Sequence, residues 1–189
     1  MRKKKKYIFY PNTLAIDELT ITDGLVYSQM LFRSLWDMNE VTFTKGHFDI
    51  DEYHENFSDY VPLGWTIDLT EIAKDLKISE RQLYYTKKRL KENGLLTDDS
   101  IYIINDITTR FFELVVDKGL SGWELIVYSY LANKNKKHTW ITLSHEILSK
   151  DLNIRRENFE RIVSSLKAKG LIEKEKKGER SHQKKLRTK

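Results

Sequence analysis

The chain has no cysteine. That excludes disulfides, thiolate metal sites and cysteine nucleophiles. It has no run approaching the roughly 18 apolar residues of a membrane span. The N-terminus, MRKKKK, is basic, but the apolar stretch after it, Tyr7–Tyr10, is too short for a signal peptide. A phosphate-cradling glycine-rich loop is missing, as is a serine in an elbow motif. The five histidines, His47, His54, His138, His145 and His182, lack metal-ligand spacing, and Asp49–Glu52 does not follow an EF-hand pattern. Tyr84-Tyr85 is not accompanied by the paired histidines that a nicking tyrosine needs. No catalytic constellation remains, and no enzyme activity, cofactor or metal is expected. A cytoplasmic protein that does not enter the membrane is the expectation.

What is present is a repeat. Residues 75–96 read DLKISERQLYYTKKRLKENGLL, and residues 151–172 read DLNIRRENFERIVSSLKAKGLI. They superimpose without a gap at an offset of 76. Asp75, Leu76, Ile78, Leu90, Lys91, Gly94 and Leu95 recur as Asp151, Leu152, Ile154, Leu166, Lys167, Gly170 and Leu171. Upstream, Glu18–Leu31 is similar to Gly119–Ala132 at an offset of 101, and Trp65-Thr66-Ile67 to Trp140-Ile141-Thr142 at 75. The drop in offset places an insertion of roughly 25 residues near 39–63 in the first copy. Units of this length suit small globular domains rather than solenoid repeats. Two domains are expected, 1–105 with the insertion and 106–189.

Charge is unevenly divided. Residues 1–105 hold 14 Lys/Arg against 17 Asp/Glu, and residues 106–189 hold 19 against 11. The acidity of the first half is concentrated in the insertion, with Glu40, Asp49, Asp51, Glu52, Glu55 and Asp59 against Lys45 alone. The second half is therefore the expected phosphate anchor. The insertion should face away from a polyanion. Its aromatics, Phe43, Phe48, Tyr53, Phe57 and Tyr60, either pack on the domain or meet a protein partner.

Each copy predicts a short helix, a tight turn, a second helix ending at glycine, and an apolar strand. In the first copy, Tyr7–Tyr10 predicts a strand, Thr22–Met38 a helix with Leu25, Val26, Met30, Leu31 and Leu35 inward, and Thr66–Asp68 a short strand. Thr70 is the expected cap of the helix Glu71–Leu76. Ser79 and Gln82 have capping-box spacing, and Gly94 suits a left-handed C-cap. Leu95-Leu96 and Ile101–Ile104 predict a hairpin. The second copy predicts helices at Trp123–Ala132, Ser144–Leu152 and Arg155–Lys169, a basic loop at Asn133–His138, and a strand at Trp140–Leu143. A hairpin of Leu171–Glu175 and Ser181–Arg187 would turn at Lys177–Glu179, where Gly178 is favourable.

These residues resemble the winged helix-turn-helix superfamily. The resemblance rests on Ile78, Ser79, Leu83, Leu90, Gly94, Leu95 and Leu96, and on Ile154, Arg155, Phe159, Leu166, Gly170, Leu171 and Ile172. Two tandem copies also look like initiator proteins of plasmid and phage replication, a likeness that Ile8–Pro11 and Leu25–Ser28 extend. The resemblance implies a mainly α fold with small β-hairpins (α+β), two tandem winged helix-turn-helix domains, and double-stranded DNA as partner. It implies bacterial nucleoid or plasmid association, and a homodimer on repeated sites. Replication initiation or control on a mobile element is the leading expectation. A transcriptional repressor with the same binding mode and a protein-interaction adaptor are the alternatives.

In the second copy Phe159, Val163 and Leu166 fall on one helix face. The opposite face offers Arg155, Arg156, Asn158, Arg161 and Ser165. Helix-turn-helix proteins set this part of the second helix in the major groove. There arginine pairs with guanine and asparagine with adenine, so Asn158 and Arg161 are the expected base readers, and Arg155 and Arg156 either read bases or grip phosphate. The first copy presents Arg81, Gln82, Tyr85, Lys88 and Arg89, with Gln82 at the position of Asn158. Tyr84 and Tyr85 either pack between helices, stack on sugars or bond phosphates, with packing the leading expectation for Tyr84. Lys87 stands where the second copy has Val163, its stem suited to covering apolar surface. The second wing offers Lys174, Lys176, Lys177, Arg180, Lys184, Lys185 and Arg187, either along the phosphate backbone or in the minor groove. A solvated basic surface is the plain alternative for each of these groups.

Overall fold

A computed structural model describes residues 7–10, 19–37, 59–63, 67–103, 110–135, 141, 144–176 and 184–188. The chain divides into two compact units, Met1–Phe112 and Glu113–Lys189. The division falls within the strand Arg110–Glu113, before its last residue, seven residues beyond the expected boundary. The described residues are mainly helical, with small antiparallel strand pairs.

Unit 1 is organised on helix α1 (Ile21–Asp37). Leu25, Val26, Met30, Leu31 and Leu35 are buried as the apolar spacing requires. Helix α2 (Leu69–Leu76) buries Ile72, Ala73 and Leu76. Its cap differs from the expected one: Asp68, not Thr70, accepts from Thr70 N at 2.8 Å and Glu71 N at 3.1 Å. The carboxylate reaches two of the unsatisfied first-turn donors at once and also suits the positive end of the helix. Helix α3 (Glu80–Glu92) starts at a complete capping box between Ser79 and Gln82.

The strands of unit 1 depart from the sequence expectation. Strand β2 (Tyr60–Pro62) comes from the end of the expected insertion. It pairs antiparallel with β3 (Ser100–Tyr102), Val61 opposite Ile101, and both are fully buried. A three-residue strand ending in proline is too short to show an alternating pattern. Ile101 also bridges Leu96, which closes the expected hairpin across Thr97–Ser100. Strand β1 (Tyr7–Tyr10) is present as expected and pairs with β4 (Arg110–Glu113), which was not foreseen. Of the expected strand Thr66–Asp68, the described residues Ile67 and Asp68 are not in a strand. Of the insertion only residues 59–63 are described, so Phe43, Phe48, Tyr53 and Phe57 lie outside the described residues.

Unit 2 repeats the plan. Helix α4 (Gly122–Lys134) runs two residues further than expected, into the basic loop. Helix α5 (His145–Asp151) is capped by Ser144, which accepts from Ile147 N at 3.2 Å. Helix α6 (Arg156–Ala168) buries Phe159, Ile162, Val163 and Leu166. Strands β5 (Ile172–Lys176) and β6 (Lys184–Thr188) form the expected hairpin, with Ile172 opposite Thr188 and Lys176 opposite Lys184. Its turn, with Lys177, Gly178 and Arg180, lies outside the described residues. Of the expected strand Trp140–Leu143, Ile141 alone is described, in a bridge to Leu186.

The two units agree in backbone detail. The turn between α2 and α3 puts Lys77 at φ 54°, and the turn between α5 and α6 puts Asn153 at φ 48°. These positions are 76 apart. Gly94 at φ 69° and Gly170 at φ 71° end the second helices in the same left-handed state. Leu95 N then bonds Leu90 O at 2.9 Å, and Leu171 N bonds Leu166 O at 3.0 Å. Both return the chain toward the helix in the manner of a Schellman cap.

Candidate nucleic-acid interface

Helices α3 and α6 are each fixed by a polar clasp as well as by an apolar face. In unit 1, Asp23 near the start of α1 is fully buried. It accepts from Thr20 N at 2.9 Å and Thr20 Oγ1 at 2.7 Å, which caps α1. It also accepts a forked pair from Arg89, Nε at 2.9 Å and Nη2 at 2.7 Å. Burial pushes the Asp23 carboxyl up, but hydrogen bonds from Arg89, Thr20 and Thr86 outweigh it and hold its pKa below the ordinary value. The same bond to Asp23 raises the Arg89 pKa. Arg89 therefore belongs to the helix packing and not, as expected, to the reading face. A charge-assisted fork of this kind is among the stronger polar contacts available to arginine.

Unit 2 builds an equivalent clasp with different residues. Glu124, at the repeat position of Asp23, accepts from Ser165 Oγ at 2.7 Å and pairs with Lys169. Ser165 stands at the position of Arg89. Lys169, and then Ser165, hold the Glu124 pKa below the ordinary value. A second clasp is also shared. Arg33 on α1 pairs with Glu71 at 2.8 Å and Asp75 at 3.4 Å. Its counterpart Lys134 on α4 pairs with Asp151, the counterpart of Asp75, at 3.2 Å.

With the buried side so determined, the outward face of α6 carries Arg156, Asn158 and Arg161, and Arg155 stands just before it, all exposed. Arg156 Nε lies 3.1 Å from Glu160 Oε1, one helical turn along. The buried His145 has Nδ1 3.3 Å from the same oxygen and stacks edge-on against Phe159. Asn158 and Arg161, the expected base readers, lie on the same helix face in its first two turns. Arg155 precedes the helix as its N-cap residue, without a side-chain cap bond.

In α3 the outward residues are Arg81, Gln82, Tyr84, Tyr85 and Lys88. Gln82 differs from the expectation of an adenine reader. Its Oε1 accepts from Ser79 N at 2.8 Å and Ser79 Oγ at 3.2 Å, which occupies both lone pairs. A bidentate pair with adenine would have to open the capping box. Tyr84 also differs: it is 65% exposed rather than packed between helices, and Tyr85 is 43% exposed. Lys88 lies 3.7 Å from Glu92 in a surface pair of the kind that contributes little. Lys87 is half-buried and lines a cavity with Met30, Leu69 and Leu96.

The short first wing is tied down at its tip, where Lys91 pairs with Asp98. In the second wing Lys176, Lys184 and Lys185 lie on the paired strands, with Lys185 opposite Glu175 in the register. Arg187 pairs with Glu173 across the hairpin. Lys177 and Arg180 lie outside the described residues. Among the described residues no three His, Asp or Glu side chains gather in a way that would hold a metal ion. No helix among them is long and apolar enough to cross a membrane. Sequence reasoning missed Asp23, Glu124, Arg33 and Lys134. The signal was available, because each recurs with its charge sign at an offset of 101. Neither protein-family models nor curated proteins give a match to this chain.

Proposed function

We propose that the chain is a sequence-specific double-stranded DNA-binding protein made of two tandem winged helix-turn-helix units. The observation that carries this reading is the α6 face. Its inner side is closed by Phe159, Ile162, Val163 and Leu166, and its outer side offers Arg155, Arg156, Asn158 and Arg161. Arginine and asparagine at the start of a second helix match the donor and acceptor pattern of base edges in the major groove. The basic hairpin that follows supplies charge for the phosphates, which position a protein without reading sequence. The paired left-handed turns at Lys77 and Asn153 support a tandem plan. Unit 2 is the main anchor, since unit 1 commits Arg89 and Gln82 to its own fold.

The most suitable role for two such units in tandem is initiation or control of replication on a plasmid or other mobile element. Selection of bound duplexes from random sequence, followed by mapping of the enriched motif, tests both levels. An enriched motif that Asn158→Ala relaxes at one or two base pairs supports base reading. Direct repeats beside an origin favour the replication role, and a palindrome over a promoter favours a transcriptional repressor. Absence of any enriched motif overturns the proposal.

A further inference from the structure

Tyr84 and Tyr85 form the most exposed aromatic patch among the described residues, with 65% and 43% of their surfaces open. Their rings meet edge to face, centroids 5.5 Å apart and planes at 75°. The Arg81 guanidinium lies over the Tyr85 ring, 5.8 Å from its centroid. That contact orders the arginine and leaves Tyr84 as the outermost ring. Lys88 extends the cationic edge one turn further along α3.

This face is poorly equipped to read a duplex. Only base edges are presented in a groove, and reading them takes unencumbered amide and guanidinium groups. Gln82 is closed in the capping box, and Arg89 is forked onto Asp23. What remains is two aromatic rings bordered by Arg81 and Lys88. Unpaired bases expose the flat faces that such rings stack on, and a phosphate chain complements the cations. The patch is also peculiar to unit 1. The counterparts of Tyr84, Tyr85 and Arg81 in α6 are Glu160, Arg161 and Glu157.

We infer that the α3 face of unit 1 binds single-stranded nucleic acid, with Tyr84 as the stacking platform and Arg81 and Lys88 on the backbone. The two second helices then have different ligands, duplex for α6 and unpaired strand for α3. This site does not depend on α6 reading duplex, and the two fail separately. The full chain is titrated, by fluorescence anisotropy, into labelled oligothymidylate and into the same strand annealed to oligoadenylate. Tyr84→Ala is expected to weaken oligothymidylate binding by about 5- to 150-fold, the range of one base–aromatic stack. Tyr84→Trp should retain affinity, duplex binding should be unchanged, and Arg161→Ala should leave the single-strand affinity intact. Tyr84 is so exposed that its replacement leaves the fold in place, which a circular dichroism melt checks. Equal losses on strand and duplex overturn the inference, because the tyrosine then touches backbone common to both. Unchanged oligothymidylate affinity in Tyr84→Ala also overturns it. Loss of a dimer in that variant by sedimentation, with strand affinity intact, assigns the patch to a second copy instead.

Discussion

Arg89 on helix α3 grips Asp23 near the start of α1 through two nitrogens, at 2.9 and 2.7 Å. Asp23 is fully buried and Arg89 keeps 38% of its side chain exposed. The clasp holds α3 against α1 at the flank of the helix, one turn beyond Tyr85. Removing the arginine strands a buried carboxylate. Arg89→Met is expected to cost about 3 kcal/mol, the lower end for breaking a buried pair because the guanidinium is partly solvated. Urea unfolding measures the loss, and a cycle with Asp23→Asn isolates the pair. Duplex binding by the folded fraction should be unchanged.

The same clasp gives a pH dependence. The Asp23 carboxyl titrates below its unfolded value of about 3.9. Its contribution is therefore fully present above that value and is lost as pH falls through the lower folded pKa. The stability gap between the wild type and Asp23→Asn should be constant near neutrality and close progressively below about pH 4. A gap that widens on acidification would contradict the assigned direction.

The left-handed turns make a paired prediction. Lys77 holds φ 54° where unit 2 has Asn153 at φ 48°. A lysine there bears a strain that asparagine or glycine relieves. Lys77→Gly is expected to raise the stability of unit 1 by about 0.5–1 kcal/mol. At Gly94 an added methyl would meet no atom within 4 Å, so Gly94→Ala carries backbone strain alone. That substitution should cost about 1 kcal/mol. Thermal melts of the two variants should move in opposite directions.

The capping box separates a fold role from a reading role. Gln82→Ala is expected to lower stability by about 0.5–1 kcal/mol without altering the preferred DNA sequence. Asn158→Ala, at the same repeat position, should do the reverse. It should leave stability unchanged and cost about 1–3 kcal/mol at the base pairs it reads. Parallel melts and binding titrations of the two variants distinguish them.

The sequence was informative where local chemistry decides structure. Apolar spacing located the buried faces of α1, α3 and α6, and the glycines at 94 and 170 marked both helix ends. It was silent where long-range geometry decides. Nothing around Arg89 distinguishes it from Lys88 until Asp23 is brought to it from 66 residues away. Gln82 was legible as a cap and as a reader, and the two uses compete for one oxygen. Tyr84 looked like a packing residue because tyrosine is mostly apolar, yet its place on the helix directs it outward. Strand β2 escaped notice because three residues carry no period.

The most direct test of the central claim is the affinity of the full chain for its selected duplex across a salt series. A protein held by lysine and arginine on phosphates releases counterions, and log K should fall with log salt at a slope of about −0.9 per phosphate contacted. The slope is expected to be steep and negative, reduced in a Lys184→Ala/Lys185→Ala variant and kept in Asn158→Ala. Duplex binding that is flat across the salt series, or absent at low micromolar protein, would contradict it.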